Sequence, residues 1–364
     1  MKHDVSNEYL PDDVSAPGDT LVDVLESRGM SQAELADRTG RPKKTINEII
    51  KGKAMITSET AVQLERVLGV PTSFWTTREA HYRAHLAVLE EAKALDEFTN
   101  WPERFPVSDM KRLNWIPPGS TGVSLVRDLL TFFGIASPTT FDPLCMLAAN
   151  HFRQSTHTPI DRFSLAAWLR RGELEGHEMK CQAFDREKFT EALRHARALT
   201  KASPDVFVPK LQALGAAAGV AIVFVRDLPK TRTNGATRWL SQDKALIQLG
   251  LRYRRNDVLW FTFFHEAGHI LLHGKKDVFV ESDDRESDAK EQEANAFSAD
   301  FLLPARELQT FKARGDFSKA AIATFAEATG VHPGLVVGRL RHDHLIPHSV
   351  HASLIMGLTW NDEA

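Results

Sequence analysis

The sequence predicts a mainly helical α+β protein: an all-α bundle at the N-terminus, a helical middle region, then a small antiparallel sheet followed by two helices that carry ligand-type residues. Three observations predict it. Apolar residues recur at helical spacing between glycines over residues 20–68, strand-like apolar runs are confined to residues 220–249, and an apolar stretch at 261–272 holds His265, Glu266 and His269. The divisions that follow are 1–18 as a mobile tail, 19–95, 106–200, 201–310 and 311–364.

Residues 1–18 are polar, with Pro11 and Pro17, and read as tail. Four short helices follow at 20–27, 32–39, 43–50 and 59–68, broken at Gly29, Gly40 and Gly52, with Ser31 and Ser58 placed as N-caps. Leu21, Val24, Leu25, Leu35, Ala36, Ile46, Ile49, Ala61, Leu64 and Leu68 supply a small core. This is the syntax of a helix-turn-helix. Between Arg28 and Lys53 seven basic residues face three acidic ones, a local excess of four in a chain of formal charge −3. Local positive charge of that kind attracts phosphate, and the third helix is the one expected in the major groove of double-stranded DNA. After Pro71, Phe74 and Trp75, a helix reaching about residue 95 extends the module as a dimerisation or docking helix.

Residues 106–200 read as helical, with amphipathic segments at 123–133 and 165–174 and loops at Pro117-Pro118-Gly119 and Pro138. Strands are predicted at 220–225, 235–240 and 245–249, with turns at 229–234. An antiparallel sheet there is either plain scaffold or an edge that binds an extended peptide.

The pentapeptide His265-Glu266-Ala267-Gly268-His269 puts two imidazoles on one helical face, with Glu266 beside them. That is the arrangement of a catalytic zinc site, in which Glu266 acts as general base on a water acidified by Zn2+. Its flanks, 261–264 and 270–272, are apolar, and Gly274 is placed to stop the helix. A third ligand is needed. The pattern that continues with Gly and His is excluded by Leu272 and Lys275, so a carboxylate from the helix at 290–304 is expected. Ala294, Phe297 and Phe301 form its apolar stripe. Glu293 and Asp300 lie on one flank of it, with Glu291 about 200° away from Glu293. Glu293 is the expected ligand and Asp300 the expected partner of a ligand histidine. His273 is expected to cap the helix; as a fourth ligand it would make the zinc structural.

The run 281–293 holds seven carboxylates and two basic residues and reads as a solvated loop. The segment 317–345 reads as a helical lid over the site or as another helix-turn-helix. His342, His344, His348 and His351 near it are candidates for oxyanion stabilisation or plain surface histidines.

Both ends resemble known families. Gln32-Ala33-Glu34-Leu35-Ala36, Gly40 and Ile46-Asn47-Glu48-Ile49-Ile50-Lys51-Gly52-Lys53 resemble the Cro/repressor (XRE) helix-turn-helix, in the form found in antitoxins. His265 to His269, with Glu293-Ala294-Asn295-Ala296-Phe297 and Leu302-Leu303-Pro304, resembles the ImmA/IrrE metallopeptidases. The fusion is a known bacterial and phage architecture, and the likeness spans nearly the whole chain. It implies that Lys43, Lys44 and Glu48 face base edges while Gln32, Asn47, Lys51 and Lys53 meet phosphates. It implies zinc on His265, His269 and Glu293, and cleavage or inactivation of a repressor or toxin protein that controls an operon. A homodimer on a palindromic operator is the usual form of this class. The alternative is an antitoxin-like repressor whose zinc domain binds a partner or senses a signal without proteolysis. Ser298 departs from the alanine usual in the family.

At 364 residues, 43% hydrophobic and 26% charged, the chain has ample length for two or three domains. No apolar run approaches a membrane span, the N-terminus lacks an apolar leader, and Cys145 and Cys181 read as reduced thiols, so a cytoplasmic protein is expected.

Overall fold

Backbone and side chains are described for residues 14–142, 161–273 and 284–360 in the computed structural model, with side chains 284–288 excepted. Residues 1–13 of the expected tail, Cys145, Gly274 and the start of the acidic run lie outside them. The chain divides into two units between Thr99 and Asn100.

The first unit is helical: α1 (Pro17–Ser27), α2 (Gln32–Thr39), α3 (Lys43–Ile50), α4 (Ser58–Leu68) and α5 (Thr72–Asp96). The Ser31 hydroxyl accepts the Glu34 amide and so caps α2, as the sequence suggests. At α4 the cap is Thr57, which accepts from the Thr60 amide, and Ser58 is already helical. Gly40 closes α2 with φ 69°, a left-handed turn that costs glycine nothing. α1 begins at Pro17, inside the expected tail, because Gly18 sits on α3: a Cβ there would lie 2.2 Å from the Ile50 carbonyl oxygen. Leu21, Leu35, Ile46, Ala61, Leu64 and Leu68 are fully buried together with Trp75 of α5. Each large one contributes roughly 1.5–3 kcal/mol by leaving water. α5 is tied to the loop before α4 by Glu79, whose carboxylate accepts the Ile56 amide (3.1 Å) and pairs with Arg83.

The second unit begins with α6 (Val107–Arg112), α7 (Gly122–Phe133), α8 (Arg162–Glu178), α9 (Arg186–Ala198) and α10 (Pro204–Ala217). The sheet follows: β1 (Val220–Phe224), β2 (Gly235–Ser241) and β3 (Lys244–Leu249). It is mixed rather than antiparallel. β3 lies in the middle, antiparallel to β2 across a tight turn but parallel to β1, because the connection 225–234 carries the chain past β3 before β2 begins.

Alternate residues of β3 serve opposite faces. Ala245, Ile247 and Leu249 join the main core, while Gln248 faces α8 and donates to the Trp168 carbonyl. Trp168 in turn donates its indole N–H to Val225. α8 and α9 belong to the same unit as the sheet.

α11 (Asn256–Leu272) crosses the other face of the sheet, followed by α12 (Asp284–Leu302), α13 (Ala305–Ala313), α14 (Lys319–Thr329) and α15 (Pro333–His342). The acidic run is thus helical from Asp284 onward, not a loop. α14 and α15 are core rather than lid: Ile322, Ala326, Val336, Val337 and Leu340 are fully buried in the cluster that holds Phe263 and Phe264 of α11. No single helix among the described residues is long and apolar enough to cross a membrane.

Candidate metal centre

α11 is apolar on nearly every side because it runs through the core. The turn holding His265 and His269 presents its imidazoles to a neighbouring helix, α12. One helical turn separates the two histidines, and their Nε2 atoms are 3.0 Å apart. The Glu291 carboxylate closes the triangle, with Oε2 3.2 Å from His265 Nε2 and Oε1 3.4 Å from His269 Nε2. Ligand atoms bound tetrahedrally at about 2.0–2.1 Å to one ion stand about 3.3 Å apart, so this donor set has the spacing and the N,N,O chemistry of a zinc site. Among the described residues no further histidine, cysteine or carboxylate joins the group.

Glu293, the carboxylate expected from sequence, is not in this group. Its Oε2 lies 3.2 Å from Nε2 of His273. Two residues along a helix turn the side chain by about 200°, so Glu291 and Glu293 cannot serve one point. The polar stripe that faces α11 is Glu291, Asn295 and Ser298, at i, i+4 and i+7. Asn295 Oδ1 is 3.0 Å from His265 Nδ1, and the buried Ser298 hydroxyl donates to the Phe261 carbonyl at 2.8 Å. The departure at Ser298 is therefore satisfied inside the packing. Asp300 does not orient a histidine either; its Oδ1 accepts the Ala305 amide at the start of α13.

His273 ends α11, its amide donating to the His269 carbonyl, as the capping expectation had it. Its Nδ1 is 2.9 Å from His269 Nδ1 and its Nε2 faces Glu293, so neither ring nitrogen is turned into the His265/His269/Glu291 triangle. The distal histidines are also elsewhere: His351 Nε2 lies 2.8 Å from the Phe317 carbonyl and His342 is beside Asp343.

Glu266 is buried beneath β2. Thr237 donates its hydroxyl to the Glu266 backbone carbonyl, and Gly235 leaves the space the carboxylate uses, since a Cβ there would lie 2.9 Å from Glu266 Oε1. Burial pushes the Glu266 carboxyl above the ordinary range, against the opposing pull of His265 and His269. Glu291 is held well below that range by hydrogen bonds from His265 and His269. Burial pulls the His265 imidazole down, but the hydrogen bond to Glu291 and the nearby Glu266 charge outweigh it and raise it. Among the described residues β2 is an edge strand of the sheet. From sequence, Glu291 is weighed and set aside for Glu293, and Asn295 and Gly235 are given no role of their own; the i, i+4, i+7 polar stripe beside Ala294 was the signal for Glu291 and Asn295.

In the first unit, Ile46 and Ile49 of α3 are buried and the opposite face is open. Lys43, Lys44, Asn47, Lys51 and Lys53 are exposed, as is Gln32 at the start of α2. Glu48 is half-buried and lies 3.8 Å from the Lys44 ammonium. Two other cations of this segment are engaged within the unit: Arg38 pairs with Glu34 and Arg41 with Gln63 and Glu59.

Residues 21–75 match the family model of the helix-turn-helix, and residues 251–341 match that of the IrrE N-terminal-like domain. No curated protein matches the chain. Among solved structures, the chain is similar to an antidote protein of a plasmid maintenance system from Nostoc punctiforme at 24% identity and a TM-score of 0.23, covering 23% of this chain and 92% of that one. It is likewise similar to an addiction module antidote protein of a HigA family from Coxiella burnetii, at 25% identity and a TM-score of 0.21, again over 23% and 92% of the two chains.

Proposed function

Because residues 21–75 form a helix-turn-helix domain of the XRE type and residues 251–341 an IrrE N-terminal-like domain of the metallopeptidase kind, we propose that the chain is a DNA-binding regulator that hydrolyses a peptide bond in a partner protein. The observation that carries the catalytic half is the convergence of His265 Nε2, His269 Nε2 and the Glu291 carboxylate within 3.0–3.4 Å of one another, one residue away from the buried Glu266.

His265, His269 and Glu291 would hold a zinc ion, and Asn295 would steady the ring of His265 through Nδ1. When bound, zinc polarises the scissile carbonyl and acidifies a water. Glu266, buried one residue from His265, would take that water's proton on a carboxylate oxygen as the water oxygen bonds to the carbonyl carbon, and would return the proton to the amine nitrogen as the C–N bond breaks. Among the described residues no strand pairs with the outer side of β2, and that side would take an extended peptide, with Gly235 at its start keeping Glu266 within reach of it.

In the first unit, α3 enters the major groove. Lys43, Lys44 and Glu48 read base edges there, and Gln32, Asn47, Lys51 and Lys53 meet phosphates. The protein acts as a homodimer on a palindromic operator, and its substrate is a repressor or toxin protein of the regulated operon.

Glu266→Gln is the decisive variant. It should keep one zinc per chain and unaltered operator binding while abolishing cleavage of the repressor or toxin encoded beside it. Cleavage that survives Glu266→Gln sinks the catalytic assignment, and stoichiometric zinc in a wild type that cleaves no neighbouring protein moves the reading to a zinc-dependent regulator without proteolysis.

A further inference from the structure

The metal triangle uses one nitrogen of each histidine, which leaves the question of what fixes the other. On His265 the answer is short: Nδ1 is 3.0 Å from Asn295 Oδ1, an acceptor, so Nδ1 carries a proton, and Nε2, whose own proton is otherwise shared with Glu291, is the nitrogen an ion would take. On His269 the neighbour is a second imidazole. His269 Nδ1 lies 2.9 Å from His273 Nδ1, and His273 Nε2 lies 3.2 Å from Glu293 Oε2. A carboxylate only accepts, so the chain of hydrogen bonds has one consistent direction. His273 Nε2 donates to Glu293, its Nδ1 is then a bare acceptor, and His269 Nδ1 donates to it. That leaves His269 Nε2, beside Glu291 and the Nε2 of His265, as the nitrogen whose lone pair an ion would take.

We propose that His273 and Glu293 are positioning residues for the metal centre: a carboxylate–imidazole relay that fixes the tautomer and ring orientation of His269. The inference rests on the reading of His265, His269 and Glu291 as metal ligands. His273 is built for the task, since its side chain is only 8% exposed and it sits at the end of α11, one turn beyond His269, where the helix itself sets the spacing. It also gives Glu293 a place in the chemistry of the site without making it a ligand. Asn295, the partner of His265, and Glu293, the carboxylate end of the relay, both come from α12, which also supplies the third ligand.

The test is zinc binding by the full-length apoprotein, titrated in competition with a chromophoric chelator. His273→Ala should weaken zinc binding by about 10–100-fold, the usual cost of losing an outer partner of a ligand histidine. His273→Asn should restore binding to within about threefold of wild type, because Asn Oδ1 takes the place of the imidazole Nδ1 as acceptor. Glu293→Gln should cost only a few-fold, its carboxylate being largely exposed. In zinc-loaded wild type labelled with nitrogen-15 in histidine, His273 should carry its single ring proton on Nε2. Zinc binding unchanged in His273→Ala, equal losses in His273→Ala and His273→Asn, or a proton on His273 Nδ1 would each overturn the relay. The nitrogen spectrum and Glu293→Gln decide the matter should His273→Ala fail to fold. A wild type that takes up no zinc removes the metal reading as well, whereas normal zinc uptake without any peptidase activity leaves the relay standing.

Discussion

Gly268 packs against Ala294 so closely that a Cβ at residue 268 would lie 3.3 Å from the Ala294 Cα and 3.1 Å from a ring carbon of Phe297. These two small residues set the separation of α11 and α12. The His265–His269 turn brackets Gly268, and Glu291 lies one turn before Ala294. The separation of the helices therefore decides whether the Glu291 carboxylate reaches both imidazoles.

Gly268→Val should push α12 away, lowering stability by about 1–3 kcal/mol as overpacked cores do, and weakening zinc binding by more than tenfold, on the order of what misplacing a ligand's support costs. Gly268→Ala, with one carbon to accommodate at tight but not impossible distances, should do less of both. Thermal melting alongside a zinc titration checks this. Wild-type zinc affinity in Gly268→Val would mean that the helix separation does not govern the site.

Glu291→Gln and Glu293→Gln should separate cleanly. The first removes the charge of a carboxylate whose Oε2 and Oε1 lie 3.2 and 3.4 Å from the Nε2 atoms of His265 and His269, and should lose more zinc affinity than the roughly 10–100-fold typical of an outer partner. The second should keep one zinc per chain. Metal analysis after dialysis reads the difference, and the opposite order of effects would return the ligand role to Glu293.

Much of this was legible in the sequence. The bounds of α2 and α3 follow from Ser31, Gly40 and the spacing of Leu35, Ile46 and Ile49, because capping and burial there are local. The His265–Glu266–His269 turn was legible for the same reason. The choice between Glu291 and Glu293 was not, since both lie on one helix and only the rotation of α12 against α11 decides which faces the histidines. That rotation is set by Gly268, Ala294 and Phe297, a contact between segments far apart in the chain. The parallel pairing of β1 with β3 was hidden likewise: it depends on where the 225–234 connection runs, not on strand propensity.

Lys51→Ala should weaken operator binding about equally for all sequences and reduce the salt slope by about 0.9, the value of one lost phosphate contact. Lys43→Ala should instead cost about 1–3 kcal/mol on the preferred site and relax sequence preference. Both side chains are exposed on the unit that ends at Thr99, so zinc content should not change. Titrations at several salt concentrations distinguish the two behaviours, and identical slopes for wild type and Lys51→Ala would remove Lys51 from the phosphate contacts.

The pH dependence of stability should carry the mark of Asp227. Its Oδ2 accepts the Leu251 amide at 3.1 Å, but Oδ1 is packed against Gly250, where a Cβ would lie only 2.2 Å away, and has no hydrogen-bond partner. Burial pushes its carboxyl up to about 6, with the Leu251 amide, Arg252 and Arg254 opposing the rise. A carboxyl raised in the folded state binds its proton more tightly there than in the unfolded chain. Its contribution is therefore fully present below the unfolded value of about 3.9 and is lost as pH climbs through about 6. The loss amounts to at most about 3 kcal/mol, at 1.36 kcal/mol per unit. Asp227→Asn keeps an oxygen for the Leu251 amide and carries no charge. It should melt several degrees above wild type at pH 7.5, as a gain of about 1–3 kcal/mol implies, with the advantage reduced to roughly a third of that at pH 4.5. Melting curves of both proteins at the two pH values make the comparison. A variant no more stable than wild type at pH 7.5 would mean that the charged carboxylate is better solvated in the fold than its surroundings at Gly250 and Leu251 indicate.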